Sequence, residues 1–107
     1  MQDLTAKSVE ASELLLLLAN PHRLRILCAL LEGERSVSSL EAVVDLSQSA
    51  LSQHLARLRQ AGTVTTRREA QSIYYSIADV RAERVLEVLA ELFCKPATSR
   101  SYRRKEP

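Results

Sequence analysis

Two blocks of helical periodicity, separated by a three-residue break, constrain the fold of this chain more than any other feature. Val37, Leu40 and Val44 fall three and four apart and so share one face of a short helix. Asp45-Leu46-Ser47 interrupts the pattern, and Ser47 suits a helix start because its hydroxyl accepts a free backbone N–H of the next turn. The second helix, residues 47–60, is expected to bury Ala50, Leu51, Leu55 and Leu58 and to present Gln48, Ser49, Ser52, Gln53, His54 and Arg57 on its other face. Short hydrogen-bonding side chains at the start of a helix let its backbone approach base edges in a major groove. The pair of helices therefore reads as a helix-turn-helix.

Ala61-Gly62 stops the second helix, and residues 63–68 and 72–77 read as two strands. Ile73, Tyr75 and Ile77 alternate with Ser72, Tyr74 and Ser76, the pattern of a half-buried strand. The intervening Glu69-Ala70-Gln71 lacks the Asn-Gly or Asp-Gly that fixes a hairpin, so the register stays open. Upstream, a helix over residues 6–19 carries the apolar patch 14–18, and Asn20-Pro21 starts a second that puts Leu24, Leu27, Cys28 and Leu31 on one face and ends near Gly33. A last helix, residues 79–94, shows Val85, Leu86, Leu89, Leu92 and Phe93, and Pro96 ends it. The expected fold class is mainly α: about five helices with a two-stranded β-wing, a winged helix-turn-helix. The first and last helices carry more apolar surface than a domain of this size covers, which points to a homodimer built from them. Two-fold symmetry would space two reading heads roughly 34 Å apart.

With 107 residues and 46% hydrophobic content, the chain is sized for one domain. Residues 1–95 are expected to form the DNA-binding and dimerisation domain, and residues 96–107 a basic tail, disordered because it lacks apolar anchors. No apolar run approaches the roughly 18 residues of a membrane span, and the N-terminus lacks the basic flank of a signal peptide, so a cytoplasmic location is expected. The net charge of +2 hides an uneven distribution: no acidic residue separates Asp45 from Glu69, whereas Arg57, Arg59, Arg67 and Arg68 lie there. Positive charge gathered on one element suits phosphate contact, although ordinary surface arginine fits the charge alone equally well. The expected partner is double-stranded operator DNA: Gln48, Ser49, Ser52, Gln53 and His54 for base readout, and Arg57, Arg67 and Arg68 for phosphate or the minor groove. Arg57 could instead pair with a neighbouring acid, and helix packing is nearly as good a role for His54. His22, at a helix start, reads as structural or solvent-facing, and Tyr74 and Tyr75 as packing residues. No nucleophile–base–carboxylate set, Gly-rich phosphate loop or metal motif points to an enzyme.

The helix order, the opening Asn20-Pro21-His22-Arg23-Leu24-Arg25-Ile26-Leu27 and the run Leu46-Ser47-Gln48-Ser49-Ala50-Leu51-Ser52-Gln53-His54-Leu55 resemble the ArsR/SmtB family of winged-helix repressors over residues 10–94. The resemblance implies a dimer that occupies an operator and leaves it when an inducer binds. Two metal-site patterns of that family fail here. The positions of a Cys-x-Cys pair are Ala42 and Val44, and the last helix offers Asp79, Glu83, Glu87 and Glu91 without a histidine. No metal or other cofactor is expected.

What remains is Cys28 and Cys94, whose placement resembles the subgroup that senses persulfides and related reactive sulfur species. Ile26-Leu27-Cys28, Leu92-Phe93-Cys94 and Arg67-Arg68-Glu69-Ala70-Gln71 carry that match. It implies two thiols close together in one subunit, oxidised to a di-, tri- or tetrasulfide bridge, with reactive sulfur as the inducer that releases the repressor. On the residues alone, both cysteines could be small buried hydrophobes, which Cys28 fits better than Cys94 beside Lys95. Alternatives are a metal- or arsenical-responsive repressor using the same cysteines, and a redox-inert DNA-binding antirepressor.

Overall fold

The computed structural model describes residues 3–94, so the expected basic tail, residues 96–107, lies outside the described residues, as does Lys95. The chain forms α1 (Ser8–Leu18), α2 (Pro21–Leu31), β1 (Arg35–Ser36), α3 (Val37–Val43), α4 (Gln48–Gln60), β2 (Val64–Glu69), β3 (Ser72–Ile77) and α5 (Val80–Phe93). The five helices and the two-stranded wing are as expected. A third short strand extends the sheet, whose order is β1-β3-β2, with Arg35 opposite Tyr75 and Ser36 opposite Tyr74. Two residues give no periodicity to read, which is why β1 leaves no trace in the sequence pattern.

Helix boundaries follow from side chains that satisfy otherwise unpaired backbone donors. Asn20 accepts from the backbone N–H groups of His22 and Arg23 at 2.9 and 3.0 Å, with Pro21 in the first turn. Ser36 caps α3 and Ser47 caps α4, each accepting an N–H three residues on at 3.1 Å, and Asp79 caps α5 through Arg81 N–H at 2.9 Å. Gly62, at φ +78°, turns the chain out of α4 in the left-handed region that favours glycine. Between β2 and β3, Glu69 pairs with Ser72, so the wing turns on Ala70 and Gln71 alone, with Ala70 at φ +58°. That two-residue turn settles the open register: Arg67 lies opposite Tyr74 and Arg68 opposite Ile73.

α1 meets α2 at 90°. Arg23 fixes this corner: its buried guanidinium donates through Nε to the Leu17 carbonyl at 2.6 Å and through Nη2 to the Leu16 carbonyl at 3.3 Å. Those carbonyls belong to the last turn of α1, where backbone donors run out; Leu16 also accepts a long bond from the Ala19 N–H at 3.3 Å. The core beneath is continuous from Leu18 through Ile26, Leu27, Leu40, Leu51 and Leu58 to Val64 and Leu86.

α2 departs from its expected face. Arg23, Ile26, Leu27 and Leu30 are buried, Leu24 and Leu31 pack at the margin, and Cys28 is exposed. Cys28 lies about 100° round the helix from Leu27, enough to carry it off the buried stripe. It is therefore not a buried core hydrophobe.

Apolar surface left uncovered concentrates on two helices. Leu15 and Leu16 on α1, and Val88, Leu92 and Phe93 on α5, are all more than half exposed. No single helix among the described residues is long and apolar enough to cross a membrane.

Candidate nucleic-acid interface and thiol pair

α4 buries Leu51, Leu55 and Leu58 against the core, at the i, i+4, i+7 spacing of one helical stripe. The opposite side exposes Gln48, Ser49, Ser52, Gln53 and Arg57. These five candidates share one surface, as expected. His54 is set apart: it is half-buried, and its ring stacks obliquely on that of His22, centroid to centroid 5.7 Å and tilted by 38°. Burial, then the positive charges of Arg23, His22 and Arg57, hold its imidazole below the usual histidine range. His22 is thus neither isolated nor simply solvent-facing. Its Nδ1 is buried and makes no hydrogen bond among the described residues.

The wing arginines differ from each other. Successive residues of a strand point to opposite faces, so Arg67 and Arg68 cannot present the same surface. Arg68 is exposed. Arg67 reaches back to the α2–β1 connection, where Nε and Nη2 bind the two Glu34 carboxylate oxygens at 2.7 and 2.9 Å, while Nη1 binds Glu69 at 2.8 Å. Its guanidinium also lies 4.8 Å from the centre of the Tyr74 ring. The hydrogen bond from Arg67 holds the Glu34 carboxyl below the usual carboxylate range, and the two carboxylates push the guanidinium further up. The structure thus gives Arg67 a wing-bracing contact that charge counting missed. Glu34 lies 33 residues away with no local signal linking the two.

Cys28 lies on α2 and Cys94 directly follows the last residue of α5, and these two helices pack against each other. Both are free thiols and exposed as residues. Burial, and secondarily the charge of Cys94, push the Cys28 thiol up. No group of three or more His, Cys, Asp and Glu side chains able to hold a metal ion occurs among the described residues.

Residues 20–66 match the model of the family described as bacterial regulatory protein, arsR family. The chain is 45% identical over 95 residues to the transcriptional activator HlyU of Vibrio cholerae, covering 89% of this chain and 88% of that one. This chain belongs to the ArsR family. A biofilm growth-associated repressor of Agrobacterium fabrum is 48% identical over 90 residues, covering 84% of this chain and 77% of the repressor. The solved structure of reduced HlyU superposes with a TM-score of 0.82 over 89% of this chain and 100% of that chain, at 45% identity. The homodimeric winged helix-turn-helix DNA-binding domain of a possible ArsR-family regulator from Mycobacterium bovis superposes with a TM-score of 0.70, at 29% identity and 86% coverage of each chain. The ArsR family consists of DNA-binding transcriptional regulators rather than enzymes.

Proposed function

We propose that this ArsR-family chain is a cytoplasmic homodimeric repressor that leaves its operator when reactive sulfur bridges Cys28 to Cys94 within one protomer. The observation that supports this reading is that α2, which carries Cys28, packs against α5, which Cys94 directly follows, with Cys94 a secondary influence on the Cys28 thiol. Cys94, at the exposed end of α5, is the attacking thiol, and Cys28, held protonated more firmly than an ordinary cysteine, is the resolving one. The Cys94 thiolate attacks a sulfane sulfur of an inorganic polysulfide, forming a protein hydrotrisulfide and expelling a shorter polysulfide. Cys28, losing its proton to solvent, attacks the middle sulfur and expels hydrosulfide, leaving a trisulfide bridge. The two cysteines lose two electrons together, and sulfane sulfur is reduced to sulfide. Attack on the Cys94 sulfur itself leaves a disulfide instead.

The bridge would tie α2, which underlies the helix-turn-helix, to α5. Leu15, Leu16, Val88, Leu92 and Phe93 supply the apolar surface for pairing α1 and α5 across a two-fold axis, consistent with the homodimeric Mycobacterium bovis relative. A fixed α2–α5 relation then fixes the separation of the two α4 helices, which must match successive major grooves. Gln48, Ser49, Ser52, Gln53 and His54 face or border base edges, and Arg57 and Arg68 meet phosphates.

The test uses a duplex recovered by the protein itself from a random-sequence pool. Polysulfide treatment is expected to add about 30 Da per protomer for one inserted sulfur, with two hydrogens lost, and to weaken binding. Cys94→Ser is expected to abolish both effects. Unchanged mass and unchanged affinity would leave the cysteines without this role. The HlyU relative, named an activator, favours a second reading in which DNA binding displaces another protein rather than blocking transcription. Transcription from the recovered site, with and without a competing repressor, separates the two.

A further inference from the structure

We propose that the His22–His54 contact is a proton-linked joint between α2 and the recognition helix, and that DNA binding takes up one proton at this joint in each protomer. The inference rests on the DNA-binding reading of α4 and adds a regulatory input to it that the thiols do not supply.

The joint has three parts. The imidazoles of His22, in the first turn of α2, and His54, midway along α4, lie 5.7 Å apart. His22 Nδ1 is a buried ring nitrogen with no hydrogen-bond partner among the described residues. The charged groups acting on His54 are Arg23 and His22 from α2 and Arg57 from α4, with no carboxylate among them. In this surrounding the charged form of His54 is disfavoured in the free protein. The same positive surrounding rejects a metal cation, which removes the other use of two facing imidazoles.

DNA reverses the balance. His54 is half-buried at the margin of the exposed face that carries Gln53 and Arg57, the face assigned to the duplex. Phosphates act over a Debye length of roughly 8–10 Å, so their field reaches the ring without direct contact. Their negative charge favours the imidazolium in the complex, whereas burial and the arginines favour the neutral ring in the free protein. A group protonated more readily in the complex makes binding tighten as pH falls, by linkage. The proton comes from solvent and adds to an imidazole lone pair, and no covalent bond other than N–H forms. α2 carries Cys28 six residues beyond His22, a rise of about 9 Å, so the proton joint and the thiol pair bear on one helix from opposite ends.

The chain contains two histidines, so two imidazole Cε1–H resonances report the joint directly. Reduced full-length protein is titrated from pH 8.0 to 6.0 at fixed ionic strength, free and bound to the recovered duplex, with affinity followed by fluorescence anisotropy. The expected result is binding about tenfold tighter at pH 6.0 than at pH 8.0, with a histidine resonance titrating at higher pH in the complex. In His54→Gln the pH response is expected to collapse to within about twofold, whatever the absolute affinity. Unshifted imidazole titrations in wild-type protein on DNA, or a full pH response in His54→Gln, would overturn the joint while leaving the DNA-binding reading intact. Failure to bind any duplex at any pH would overturn both.

Discussion

Removing the two wing arginines one at a time should give different salt dependences, because one is committed to carboxylates and the other is not. Arg68 is exposed, and its register opposite Ile73 puts it on the other strand face from Arg67. If Arg68 neutralises one phosphate per protomer, Arg68→Ala removes two contacts from a dimer. Each contact contributes about 0.9 to the slope of log K against log salt, so the variant's slope is shallower by about 1.8. Between 50 and 200 mM salt, the wild-type advantage then shrinks by about tenfold.

Arg67, Glu34 and Glu69 together already carry a net charge of −1, joined by hydrogen bonds of 2.7 to 2.9 Å. Arg67→Ala should leave the slope near the wild-type value and weaken binding through repulsion by the two released carboxylates. Glu34→Gln should do the opposite of Arg68→Ala, tightening binding by removing a negative charge and freeing one edge of the guanidinium. Anisotropy titrations at four salt concentrations, with the recovered duplex and a scrambled one, measure all three variants. Arg68→Ala should weaken both duplexes alike, since phosphate contact carries no sequence information. An equal loss of slope in Arg67→Ala and Arg68→Ala would refute the assignment of Arg67 to the wing brace.

Other perturbations probe the frame and its pH response. Leu58→Ala, at a fully buried position, should lower unfolding free energy by about 2–5 kcal/mol in urea titrations. Ala70→Gly should raise it by about 0.5–1 kcal/mol, because Ala70 sits at φ +58°, where a Cβ is unfavourable. Folding stability of free protein should fall as pH drops below about 6.5, since the neutral His54 favoured in the fold must compete with an unfolded imidazole that binds protons more readily. His54→Gln should flatten that urea-midpoint profile. Asp79, held below the usual carboxylate range chiefly by Arg81, should add a second loss only in strongly acidic solution, with Asp79→Asn as the control.

What the sequence disclosed depended on how local the determinant was. Caps such as Asn20, Ser47 and Asp79 act within three residues, and the stripe Leu51, Leu55, Leu58 repeats within one helix, so both could be read directly. The five exposed α4 candidates followed from the same periodicity. Contacts between distant segments were not accessible in this way. Glu34 and Arg67 meet across 33 residues, and Arg23 reaches back over the corner between α1 and α2. β1 is too short to show a period, and the outward turn of Cys28 required knowing that Arg23 and Ile26, rather than Leu24, define the buried side of α2. The thiol pairing entered through the family resemblance, because nothing in the spacing of two cysteines brings helices together.

Such long-range contacts would make α2 the structural link between the proposed sensing and reading. Its first turn is anchored to α1 by Arg23 and to α4 by the histidine pair, and the helix, which carries Cys28, also packs against α5. The proposed bridge at one end would change the angle of α2 against α5, and the proposed proton at the other would change its fit against the recognition helix. The two inputs need not move the same atoms to alter the same quantity, the separation of two α4 helices in a dimer. Packed interiors transmit such small rotations because they have little room to absorb them. Coupling between the inputs is then expected to be reciprocal: whatever factor bridging takes from the affinity for DNA, DNA takes from the ease of bridging. Protein bound to its recovered duplex should therefore react with polysulfide less completely than free protein at equilibrium. Equal bridging with and without DNA would mean that the thiols and the recognition helix are thermodynamically independent.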